Sequence, residues 1–146
     1  MTSRLYHLQI NVSPAESARL FYRDLFRYLA WRMIHDEGDV AAFSDGSMNI
    51  WLIPTAARFV GRGFHRKGLG LNDLAFRVDR REDVDRFREK FMAPRGIAAL
   101  YDTPREFPEY APGYYAVFFE DADRLKLEVA HVPPRRWGGR RAVQGG

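Results

Sequence analysis

The chain has 146 residues, 46% apolar and 14% aromatic, enough to bury the core of one domain. It has no cysteine, which excludes disulfides and thiolate metal sites, and no apolar run near the length of a membrane-spanning helix. The net charge of +4 is matched by the four arginines of residues 135–146, a stretch without acids, so the rest is formally neutral and no basic nucleic-acid groove is indicated.

Met1–Thr2–Ser3–Arg4 leads straight into a strand pattern, so no signal peptide is read and a cytoplasmic location is expected. Residues 5–12 alternate, with Tyr6, Leu8, Ile10 and Val12 on one face and Leu5, His7, Gln9 and Asn11 on the other. Ser13–Pro14–Ala15–Glu16 has the form of a helix start, with Ser13 as N-cap. The helix runs to about Phe26, with Ala18, Phe21, Tyr22 and Leu25 at helical spacing. Strands are expected over about 31–35, 40–43 and 48–53, with Gly38 and Asp45–Gly46 in the turns. A Gly-containing, basic linker covers 54–69.

The pattern then restarts. Residues 71–78 form a strand, and Asp79 caps a helix over about 81–91 with Val84, Phe87 and Phe91 inward. Further strands are expected over 97–101, 114–120 and 125–131, with a long loop over 102–113. The tail, 134–146, is basic and Gly-rich and is expected to be solvated and disordered.

The two halves are one unit written twice. Leu5–Val12 reads onto Leu71–Val78 at a shift of 66, Phe21 falls on Phe87, and Leu25 falls on Phe91. Each copy reads βαβββ, which gives an α+β fold of two modules, 1–55 and 70–133, joined by the linker 56–69. Each sheet has one face covered by its helix, and the other is left to wall a cleft, the two together making a curved, barrel-like mixed sheet. Strand parity turns His7 and Asp73 to the cleft at equivalent positions, with Glu128 on the last strand and Trp51 as its counterpart in the first copy. An imidazole and two carboxylates are a donor set for a hard or borderline divalent ion. The plainer readings are a hydrogen-bonded His7, an Asp73 paired with Arg77, and a Glu128 paired with Lys126 or Arg77. His35, His65 and His131 have no counterpart and read as surface or edge residues.

These motifs resemble the vicinal oxygen chelate superfamily, the glyoxalase, bleomycin-resistance and extradiol-dioxygenase group. The resemblance covers about 1–133 and rests on Leu5–Val12, Phe21–Tyr22–Arg23–Asp24–Leu25, Gly70–Val78 and Glu120–Glu128. It implies a metal held by His7, Asp73 and Glu128, with Mn²⁺, Fe²⁺ or Mg²⁺ favoured and Zn²⁺ or Ni²⁺ allowed. Two departures stand out: Asp73 replaces the second module's histidine, and Trp51 replaces the fourth ligand of glyoxalase I enzymes. Trp51 argues against glyoxalase I activity and is compatible with a three-ligand site for a lyase, isomerase or dioxygenase.

Glu128 and Tyr115 are the candidate catalytic residues. Trp51, Asn49, Arg77, Phe107, Tyr110 and Tyr114 are candidate substrate contacts, an aromatic-walled cleft for a small oxygenated or aromatic molecule. The alternative is a metal-free binding protein of the bleomycin-resistance type. A homodimer is implied by the resemblance, and neither nucleic acid nor membrane is an expected partner.

Overall fold

A computed structural model describes residues 2–133, and the expectation for the tail lies outside the described residues. The first module is β1 (His7–Val12), α1 (Glu16–Tyr28), β2 (Arg32–Glu37), β3 (Val40–Ser44) and β4 (Asn49–Pro54). A single turn, α2 (Ala57–Val60), interrupts the linker. The second module is β5 (Asp73–Val78), α3 (Arg81–Phe87), β6 (Leu100–Glu106), β7 (Tyr115–Glu120) and β8 (Lys126–His131). After α3 the helix loosens into a π turn, Arg88–Met92, and ends through Ala93–Arg95 at Gly96, whose φ of 65° is the left-handed stop that glycine supplies.

Each module forms its own four-stranded mixed sheet, in the orders β1-β4-β3-β2 and β5-β8-β7-β6. In both, the first strand pairs parallel with the last and the remaining pairs are antiparallel. The duplication is therefore preserved in topology, and the two sheets are not closed into one barrel.

The helices hold the modules together. Ala18, Tyr22, Leu25 and Phe26 form the buried stripe of α1 at i, i+4, i+7 and i+8. Phe26 lies 4.5 Å from Phe43 of its own sheet and 5.8 Å from Phe76 of the other, measured between ring centroids. Phe87 continues the contact to Phe91 at 4.9 Å and Phe119 at 5.3 Å. One apolar cluster accordingly spans both modules.

Several sequence expectations are corrected. Ser13 does not cap α1: the N-cap is Ala15, and no side chain caps it. Both Ser13 donors are instead spent on Asp123, the backbone N–H at 2.7 Å and the hydroxyl beside it. Likewise Arg80, not Asp79, occupies the N-cap of α3. The strand expected over 97–101 begins at Leu100 and runs to Glu106, five residues of it taken from the expected loop. Pro104 sits in that strand, where β6 pairs only with β7 and its free side needs no N–H donor.

Candidate functional site

The inner faces of both sheets pack on the helices, so the polar faces found by strand parity look outward. On β1, Ile10 and Val12 are buried while His7, Gln9 and Asn11 are exposed. On β5, Phe76 is buried while Ala75 and Arg77 are exposed.

The second sheet carries the more developed site. Glu128, only 4% exposed, lies in register between Ala75 of β5 and Phe118 of β7. The Tyr114 hydroxyl donates to Glu128 Oε1 at 2.6 Å. Asp73 lies on the same face, with Lys126 Nζ 3.8 Å from its Oδ1. Burial pushes the Glu128 carboxyl above its ordinary value; the Tyr114 hydrogen bond opposes this, neighbouring Asp73 adds to it, and Lys126 relieves it. The Tyr114 phenol is itself raised by burial and by the Glu128 hydrogen bond, so it stays a donor throughout the neutral range.

The 107–114 segment folds over this face as an aromatic wall. Phe107 N–H donates to the Tyr114 carbonyl at 2.9 Å, closing the loop on itself. Phe107 stacks on Tyr110 at 5.3 Å and meets Phe118 edge-on at 5.3 Å, and Tyr110 meets Tyr114 at 5.5 Å. Phe107 and Phe118 are buried with Ala116 and Ala130 in a small apolar cluster, while Tyr110 is exposed at the rim. A buried carboxyl under aromatic rings, with a phenol and an ammonium beside it, can accept a proton or hydrogen-bond an oxygenated ring.

Tyr115 does not join this site. It points to the helix side, donates to Asp85 Oδ1 at 2.7 Å and carries the Arg81 guanidinium 3.9 Å over its ring. Adjacent strand residues alternate faces, and it is Tyr114 that reaches Glu128. Asp73 pairs with Lys126 rather than with Arg77, whose side chain is exposed on the same face.

His7, Asn49 and Trp51 belong to the other sheet. His7 pairs in register with Asn49, and Gln9 with Trp51. His35, which sequence alone placed at the surface or an edge, packs its ring 5.2 Å from Trp51 across Ala42. The signal was available: His35 in β2 and Trp51 in β4 flank a small residue, so the two large rings meet over it. No group of three or more His, Asp or Glu side chains arranged to hold a metal occurs among the described residues. Within one chain Asp73 and Glu128 are neighbours, and His7 does not complete a ligand set with them.

No protein-family model matches this chain. It is 34% identical to a glyoxalase candidate from Bacillus halodurans whose crystal structure it matches with a TM-score of 0.79 over 88% of this chain and 95% of that one. The chain belongs to the vicinal oxygen chelate superfamily. A glyoxylase/bleomycin resistance protein/dioxygenase domain from Frankia sp. EAN1pec matches at 25% identity and a TM-score of 0.68, over 90% of this chain and 98% of that one. Among curated proteins, YqjT of Bacillus subtilis (strain 168), which is uncharacterized, is 29% identical over 125 residues, 86% of this chain and 96% of YqjT.

Two of the motifs that carry the resemblance hold the modules together. Tyr22 of the Phe-Tyr helix signature donates to Asp121 of the 121–124 turn at 2.5 Å, and Ser13 holds Asp123 of the same turn. Asp121 also accepts the N–H groups of Asp123 and Leu125. Both motifs join one module to the other. No helix among the described residues is long and apolar enough to cross a membrane.

Proposed function

We propose that this protein binds a small oxygenated, aromatic molecule on the Glu128 face of the second sheet, without a metal. The observation that carries this reading is the buried Glu128 carboxyl held by Tyr114 beneath the Phe107, Tyr110 and Phe118 rings. A ring hydroxyl or carbonyl would replace solvent beside Glu128, with the aromatic wall against its faces. Burial raises the Glu128 carboxyl above its ordinary value and so favours its protonated form, which makes Glu128 the group this site offers for proton exchange with a bound ligand.

The donor set does not fit a divalent ion within one chain. Two carboxylates are adjacent, but the positive charge beside them is the Lys126 ammonium, and Glu128 is already occupied by a phenol donor. The test is a titration with catechol followed by ¹H–¹⁵N spectra, with and without EDTA. Expected are saturable shifts at Ala75, Tyr114 and Glu128 that chelator leaves unchanged, and an affinity loss of at least about tenfold in E128Q. Binding abolished by EDTA would refute the metal-free reading.

A second reading rests on the outward face of the first sheet, where His7 and Gln9 are exposed and Asn49 and Trp51 half-buried beside them. If a second copy of the chain lays that face against the Glu128 face, His7 of one chain joins Asp73 and Glu128 of the other as three ligands for Mn²⁺, Fe²⁺ or Mg²⁺, with Trp51 and Asn49 as substrate contacts. This reading ties the metal to the homodimer. Sedimentation of the freshly purified protein together with elemental analysis separates the two: a dimer carrying one metal per chain supports the second, and a protein with less than about a tenth of an equivalent supports the first.

A further inference from the structure

A cavity of about 660 Å³ lies away from Glu128. It is walled by the linker on one side and by the end of β1 and the 121–124 turn on the other, and it shares no residue with the Glu128 site. Its floor is apolar, formed by Phe59, Val60 and Phe64, each more than a third exposed. Solvent-facing aromatic side chains in a concavity of this size mark a place for an apolar body.

The rim is cationic. Between Thr55 and Asn72 the linker carries Arg58, Arg62, Arg66 and Lys67 and no acid. Arg62 reaches into the cleft, lies 4.8 Å over the Phe59 ring and makes no ion pair among the described residues. Opposite stands Arg124, held in a left-handed conformation at φ 68° and only 3.8 Å, at the limit of pairing, from Glu120. A smaller hollow of about 180 Å³ continues from the first through Phe64 and Arg124, and it adds Lys67. The single carboxylate in the cleft, Asp123, is already taken by the N–H and hydroxyl of Ser13. The Asn11 amide, exposed on β1, makes no side-chain hydrogen bond among the described residues and faces the same space.

We infer that this cleft is a second ligand site, for a small amphipathic organic anion: an aryl or alkyl body on Phe59, Val60 and Phe64, and a carboxylate, phosphate or sulfonate between Arg62 and Arg124. Charge complementarity selects the anion, because two arginines line an apolar concavity whose one carboxylate is already hydrogen-bonded to Ser13. The site is independent of the Glu128 reading and stands if that reading fails.

The experiment uses the full chain and 4-phenylbutyrate as probe, with 4-phenylbutyramide as its uncharged counterpart. Expected are saturable amide shifts confined to Asn11–Ser13, Thr55–Phe64 and Ala122–Arg124. The amide should bind at least about tenfold more weakly, and R62E and R124Q should each weaken the carboxylate by at least about tenfold while keeping the wild-type spectrum elsewhere. R32E makes the same charge change at an exposed residue of β2 outside the cleft, and should lose less than about threefold. The inference is overturned if no saturable shift appears, if the shifts map to Tyr114 and Glu128, if amide and carboxylate bind alike, or if R32E loses as much as R62E.

Discussion

Replacing Tyr22 by Phe removes one hydroxyl and tests whether the two modules are clasped by a buried hydrogen bond. Tyr22 is 1% exposed, and its hydroxyl donates to Asp121 Oδ2 at 2.5 Å across the module boundary. Asp121 is buried and its carboxyl is pushed up chiefly by burial, so it has little water to turn to when the phenol is lost. The backbone donors of Asp123 and Leu125 remain on its other oxygen. A hydrogen bond to a charged group contributes about 1.5–3 kcal/mol, and an acceptor left buried costs the upper part of that range. For a chain of this size each kcal/mol is roughly 3–4 °C in Tm, so Y22F should melt about 5–12 °C lower. Urea titrations of wild type, Y22F, D121A and the double variant form a cycle, read as a change of midpoint at constant slope. The coupling between the two changes should be at least about 1 kcal/mol. Additivity within about 0.5 kcal/mol would refute the clasp, because the two residues would then act separately.

Two further outcomes follow from the Glu128 face. A carboxyl raised in the folded state stabilises the protein once protonated, so the stability difference between wild type and E128Q should shift in favour of wild type as pH falls from 7 through the raised Glu128 value toward 4; urea midpoints that keep a constant difference over that range would contradict it. Gly113 sits at φ 72°, and an added Cβ would meet Pro133 Cγ at 2.9 Å, so G113A should cost about 1–3 kcal/mol in urea and weaken catechol by opening the 107–114 wall.

The repeat was legible because each copy carries its own periods. Alternation marked β1 and β5, and helical spacing marked α1 and α3, so the paired topology followed from pattern alone. Strand parity also separated the two faces of β1 and β5, since a one-residue offset would have buried His7 and exposed Ile10, although it read the polar faces as cleft-facing. What pattern does not carry is the direction in which two modules pack. Phe26 reaching both Phe43 and Phe76 shows helices turned inward and polar faces turned out, which separates His7 from Glu128 within a chain. Tyr114 and Tyr115, both candidates in sequence, part because adjacent residues alternate faces: Tyr114 reaches Glu128 and Tyr115 reaches Asp85. Ser13 looked like a cap because its local sequence fits one, and a partner 110 residues away took its donors.

Lys126 is the residue on which the metal question turns. It is one of the plainer partners in sequence, yet its ammonium stands beside Asp73 and lowers the charge burden on Glu128. Two neighbouring carboxylates need a cation or a shared proton, and a divalent ion and an ammonium compete for that role. In K126Q the Asp73–Glu128 pair loses its resident cation, so Glu128 should be pushed higher still. The variant should therefore gain Mn²⁺ affinity over wild type by at least about tenfold, measured by calorimetry at pH 7.5. If wild type already takes one Mn²⁺ per chain and K126Q changes nothing, Lys126 is not the stand-in for the metal. The exchange of histidine for Asp73 would then have preserved a metal site, whereas a gain in K126Q means that it replaced the metal with a lysine.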